Sequence, residues 1–176
     1  MQDSAKYSRV AMALHWLNVG LVAALYGVGW TMVDLPKGPG RGEMFAMHKT
    51  LGLSVLLLTA LRLAWRLGHR PPALPTSLRD WRARLARGVH HLFYLLLVAQ
   101  PVLGYCSSYF SGHPTRYFGL ELPARGARDV ALNEFFSEVH EVGAALLLLT
   151  IALHVAGALS HGWRGPQALL RRMLPW

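Results

Sequence analysis

Four stretches of the 176-residue chain stay apolar long enough to cross a bilayer: 14–33, 44–67, 89–110 and 135–161. Each meets the ~20 residues that a helical span requires. Within 51–60 and 144–153 no polar stripe interrupts the apolar surface, whereas a helix of a soluble bundle would carry one. The pattern predicts an all-α integral membrane protein, with residues 1–176 forming a single domain built as a four-helix up-down bundle.

The intervening segments are polar or broken. Residues 34–42 (DLPKGPGRG) read as a tight external connection. Residues 68–87 open with a Pro-rich stretch and close on RDWRARLAR, an interfacial amphipathic turn of helix. Residues 111–133 form the longest external loop, and Tyr117, Phe118 and Pro123 make it apolar enough to fold back over the bundle mouth. Pro101 inside the third run predicts a kink. Lys6 and Arg9 precede the first run, but that run is longer than a secretory signal's apolar region and lacks a cleavage site, so it is expected to remain as the first helix.

An apolar content of 53% with 15% charged residues is high for a soluble domain, and mean hydropathy is +0.28. Cys106 is the only cysteine, which excludes an intrachain disulfide and a thiolate cluster. The net charge of +9 raises nucleic acid as a partner, but its distribution argues against it. An even number of spans puts both termini on one side. That side carries Lys6, Arg9, Arg62, Arg66, Arg70, Arg79, Arg82, Arg84, Arg87, Arg164, Arg171 and Arg172 with only Asp3 and Asp80, a net +10. The other side holds the remaining six basic and seven acidic residues, a net −1. By the positive-inside rule both termini are cytoplasmic, and the basic excess is a topology signal.

Charged or ionisable side chains within spans are costly and mark function. His15, His48, His140 and His154 lie in or at the ends of the runs. His140 and His154 are 14 residues apart, about 21 Å of helical rise and within about 40° of one face. Topology places His15 and His154 near the cytoplasmic side and His48 and His140 near the external side, so the depth-matched pairs are His15 with His154 and His48 with His140. Zinc would need three or four ligands at one level. Haem iron, already held by four porphyrin nitrogens, needs only two axial partners. With both positions filled such a centre passes single electrons. No CxxCH occurs, so the expected cofactors are two non-covalent, bis-histidine b haems.

Gly143 and Gly157 each follow a fourth-helix histidine by three residues, and Gly52 follows His48 by four. They share the histidine's face and would admit a flat macrocycle. Arg9 and Lys49 lie near the expected haem edges and are candidates to pair with propionates. His90 and His91 are alternatives to His15 as a ligand. Arg62 and Arg66 are expected to snorkel to the cytoplasmic surface, and His69 and His113 to be solvated.

At these residues the chain resembles the bacterial cytochrome b561 family. The matching elements are YSRVAMALHWL (7–17), MHKTLGL (47–53) followed by RLAWR, HHLFYLLLVAQPVLG (90–104), FGLELP (118–123), VHEVGAALLLL (139–149) and LHVAGALSH (153–161), so the resemblance covers nearly the whole chain. It implies a di-haem cytochrome of the bacterial inner membrane that exchanges electrons with the quinone pool, with ubiquinone as a second cofactor. Superoxide or a periplasmic redox partner is the other candidate donor or acceptor. The family's haem histidines carry over to His15, His48, His140 and His154. The family often shows a histidine pair at the end of the last helix, where this chain has Ser160–His161. Lipid is the surrounding partner, no nucleic acid is expected, and a homodimer is a compatible assembly. Two alternatives stand beside this reading. One is the b-type membrane-anchor subunit of a formate dehydrogenase or hydrogenase; the other is a haem-free, histidine-based metal transporter.

The charge asymmetry has a direct test. With Cys106 replaced, Ser111→Cys is expected to react with an impermeant thiol reagent from the periplasm and Ser77→Cys only after the membrane is opened. The reverse labelling would invert the topology and with it the depth of every histidine.

Overall fold

The computed structural model describes residues 6–69, 72, 80–124, 126–162 and 169–174. Four long helices dominate it: α1 (Arg9–Asp34), α2 (Pro39–Gly68), α3 (Asp80–Phe110) and α4 (Val130–Gly162). Each expected apolar run lies inside one of them, and all four are long and apolar enough to cross a membrane. Most side chains of the spans face outward, including Leu57, Leu95, Val142 and Leu153, as lipid as solvent allows. The Pro-rich part of the α2–α3 connection and the two chain termini lie outside the described residues.

Local chemistry sets the helix limits. Ser8 caps α1 by accepting the Ala11 N–H at 3.2 Å. At its far end Leu35 is extended, as the residue before a proline must be. Pro39 starts α2 at a position where its missing N–H costs nothing. α3 runs through Pro101 as one helix, with the Leu97 carbonyl deprived of its usual donor.

The connection between α3 and α4 is more ordered than its sequence suggests. Strands β1 (Thr115–Tyr117) and β2 (Leu120–Leu122) pair antiparallel and fold back onto α2, where the Thr50 hydroxyl donates to the Arg116 carbonyl at 3.2 Å. The turn between the strands has φ of 46° at Phe118 and 89° at Gly119. Two successive left-handed residues make the tight turn that matches strand twist. Glycine takes that conformation freely, and Phe118 takes it at some cost.

Packing between helices is uneven. α1 lies against α2, α2 against α3, and α3 against α4, but among the described residues no Cα of α4 comes within 8 Å of a Cα of α1 or α2. The backbone of α4 thus stands off from half of the bundle, and α1 reaches it through side chains such as Tyr26, whose hydroxyl donates to the Ala144 carbonyl at 2.6 Å. At mid-depth the gap is closed by a core of Val55, Leu96, Leu97 and Leu147, with Leu21, Val22, Leu25 and Ile151 packed around it. Val55 is only 2% exposed. Above and below this plug lie the histidines.

Candidate functional site

Each helix carries an inward stripe with a period of seven residues, a repeat that drifts only about 20° per step around a straight helix. On α1 the stripe is His15, Val22 and Gly29; on α2 it is His48, Val55 and Arg62. On α3 it is His90, Leu97 and Gly104, and on α4 His140, Leu147 and His154. The middle members form the apolar plug. The outer members fall at two levels about 21 Å apart.

At the level of His48 and His140 the two imidazoles face each other across the slot between α2 and α4, with ring centres 6.2 Å apart. The other two helices contribute glycines here. A Cβ at Gly29 would lie 3.4 Å from the His48 ring, and one at Gly104 would lie 3.2 Å from the His140 ring. A side chain at Gly104 would crowd the His140 ring, whereas a Cβ at Gly29 would meet His48 at contact distance. His140 is held by a hydrogen bond of 3.0 Å between its Nδ1 and the Gln100 carbonyl. A carbonyl only accepts, so Nδ1 carries the proton and Nε2 keeps its lone pair.

At the other level His15 and His154 face each other with ring centres 6.5 Å apart. Here the neighbouring helices contribute functional groups. His90 approaches His154 at 5.3 Å between ring centres and donates from Nδ1 to the Ala86 carbonyl at 2.7 Å. Arg62 lies within electrostatic range of His15, His90 and His154. Its guanidinium sits 5.7 Å from the Tyr94 ring centre. Arg62, expected to reach for the surface, is half-buried. Among the described residues it has no carboxylate partner.

The geometry fits an iron between each pair. A metal–imidazole bond is about 2 Å, and a ring centre lies about one ångström behind its nitrogen, so two imidazoles sharing one iron in trans have centres about 6 Å apart. Both facing pairs have that spacing, whereas His90 and His154 are closer than it allows. The Nδ1 atoms of His15 and His48 are buried without a well-formed hydrogen bond; buried polar atoms are rarely left so. Among the described residues no cluster of three or more His, Cys, Asp or Glu could hold a metal ion on its own.

The other candidates are placed as follows. Gly52 and Gly157 adjoin space in which an added Cβ would meet nothing within 4 Å. A Cβ at Gly143 would overlap the Gln100 carboxamide, whose Nε2 is buried without a hydrogen bond. Lys49 is half-buried next to His48, while Arg9 is exposed at the start of α1. Gly29, Gly104, Arg62 and Gln100 are absent from the sequence-based set. For the first three a signal existed: each lies 14 residues from a histidine of its own helix. Gln100 acts through its backbone, which no side-chain pattern reveals.

Known proteins resemble the chain over nearly its whole length. The chain is 29% identical over 171 residues to the Escherichia coli K12 protein named cytochrome b561 homolog 2, covering 96% of this chain and 91% of that one. It is 27% identical over 173 residues to a Yersinia pestis protein named probable superoxide oxidase CybB, with 97% and 96% covered. Identity is 30% over 183 residues to cytochrome b562 of Cereibacter sphaeroides, with 99% and 98% covered. Residues 6–176 match the family described as prokaryotic cytochrome b561. With four membrane-length helices and a match over nearly its whole length, the chain belongs to the prokaryotic cytochrome b561 family of membrane b-type cytochromes.

Proposed function

We propose that the chain holds two b haems, one between His48 and His140 and one between His15 and His154, and carries electrons across the inner membrane between an external donor or acceptor and the quinone pool. The single observation behind this reading is the pair of ring spacings, 6.2 and 6.5 Å, in a slot where no Cα of α4 comes within 8 Å of one in α1 or α2 among the described residues. A haem held by these histidines would supply one-electron transfer.

The chain's own residues do the rest. Gly29 and Gly104 keep the outer level open, and Gly52 and Gly157 adjoin open space in which a macrocycle edge fits. The Gln100 carbonyl orients His140 and sets its tautomer, as an outer-shell partner does for a metal-bound histidine. Val55, Leu97 and Leu147 exclude water between the levels. Arg62 is the inner candidate to pair with haem carboxylates and Lys49 the outer one, because each is half-buried with no acidic partner among the described residues. Arg9, being exposed, is a weaker partner at the inner edge.

The external partner is proposed to be superoxide or a periplasmic redox protein. The name of the Yersinia relative supports the first. Quinone follows from the family and not from any residue set. The absence, among the described residues, of a self-sufficient metal cluster speaks against the transporter alternative.

Pyridine-haemochrome analysis of the purified protein is expected to give two haems per chain; one or none would refute the reading. His48→Ala and His140→Ala are expected to remove the same haem and leave the other spectrally intact, whereas loss of different haems would refute the pairing. Gly104→Val should displace the His140 ring and cost about half of the haem absorbance, all of it from the outer site; an unchanged spectrum would show that the glycine is not needed. In vesicles, His154→Ala should keep the outer haem reducible from outside yet abolish reduction of an internal acceptor. An undiminished internal rate would rule out a two-site relay.

A further inference from the structure

Two turns above the outer histidine pair the bundle opens into a cleft of about 470 Å³. Lys37, Arg41 and Arg128 line it together with His113, and none of its lining residues is acidic. The outer face as a whole is close to neutral, so gathering three of its cations in one concavity is unfavourable unless an anion joins them.

The position is axial. Lys37 comes from the α1–α2 connection, Arg41 from the first turn of α2, Ser111 from just beyond α3, and Arg128 and Asn133 from the start of α4. Arg41 precedes His48 by seven residues and Asn133 precedes His140 by seven. The cleft therefore lies about 10 Å above the pair on the same helix faces. The positive ends of α2 and α4 both point to it. The Gly38 cap of α2 makes no side-chain hydrogen bond, so N–H groups of that first turn lack a side-chain acceptor. The acid next to Arg128 is otherwise employed, since Asp129 accepts the Leu132 N–H at 3.1 Å as the cap of α4. Arg41 is steadied over the Phe45 ring at 5.6 Å. Cations that merely answer lipid headgroups would spread around the rim of the bundle; these three line one concavity.

We infer that this cleft is an oxyanion site, built for a carboxylate or phosphate group seated directly over the outer histidine pair. Two sources share that chemistry: a small free oxyanion from the external medium, or the propionate carboxylates of the outer haem itself. Only the second source rests on the two-haem reading.

The test compares the purified holoprotein with the Arg41→Gln/Arg128→Gln variant at constant low ionic strength, where such contacts are least screened. Inorganic phosphate and citrate are titrated by calorimetry, and haem content and midpoint potentials are followed spectroscopically. Saturable binding of either probe, weakened at least tenfold in the variant, would establish a free-anion site. No binding in the wild type, combined with release of the outer haem or a lowered outer midpoint potential in the variant, would assign the cleft to the propionates. In both cases the inner haem should be unaffected, which also reports an intact fold. Equal behaviour of the two proteins in both measurements would overturn the proposal. A failure of the two-haem reading shows separately, as the wild-type haemochrome count.

Discussion

An imidazole inside a bilayer has nowhere to send an unused proton or lone pair, and this constraint organises the bundle. Four histidines at two depths are costly unless their polar atoms find partners, as the His140 Nδ1 does on the Gln100 carbonyl. The two pairs meet edge-on, with ring centres 6.2 and 6.5 Å apart. The rest of the architecture serves that gap. α4 stands off from α1 and α2, glycines replace side chains where the outer rings need room, and an apolar plug keeps the two levels apart.

The two levels are built differently. The outer one has histidines on α2 and α4 and glycines on α1 and α3, with its positive charge displaced upward into the cleft of Lys37, Arg41 and Arg128. The inner one has histidines on α1 and α4, with Arg62 and His90 filling the positions that glycines hold above. A guanidinium beside a site disfavours positive charge there, unless an anion neutralises it.

Much of this was legible in one dimension. The four spans follow from run length, because a bilayer's thickness fixes how many apolar residues a helix must supply. Depth matching of His15 with His154 and His48 with His140 follows from alternating helix direction, and the model brings these same pairs together. Gly52, Gly143 and Gly157 were singled out by proximity to histidines on their own helices, but Gly143 is occupied by Gln100. The glycines that touch imidazoles, Gly29 and Gly104, belong to neighbouring helices.

That difference marks the boundary between what the amino-acid order determined and what only the tertiary structure decided. Period, length and charge along a chain specify which residues share a face and a depth, so spans and histidine levels could be read directly. The rotation of each helix and its distance from the next arise from packing of all four together. Only that packing set Arg62 over the Tyr94 ring, paired the His140 ring with the Gln100 carbonyl, folded residues 115–122 into a hairpin over α2, and gathered cations from two distant segments into one cleft.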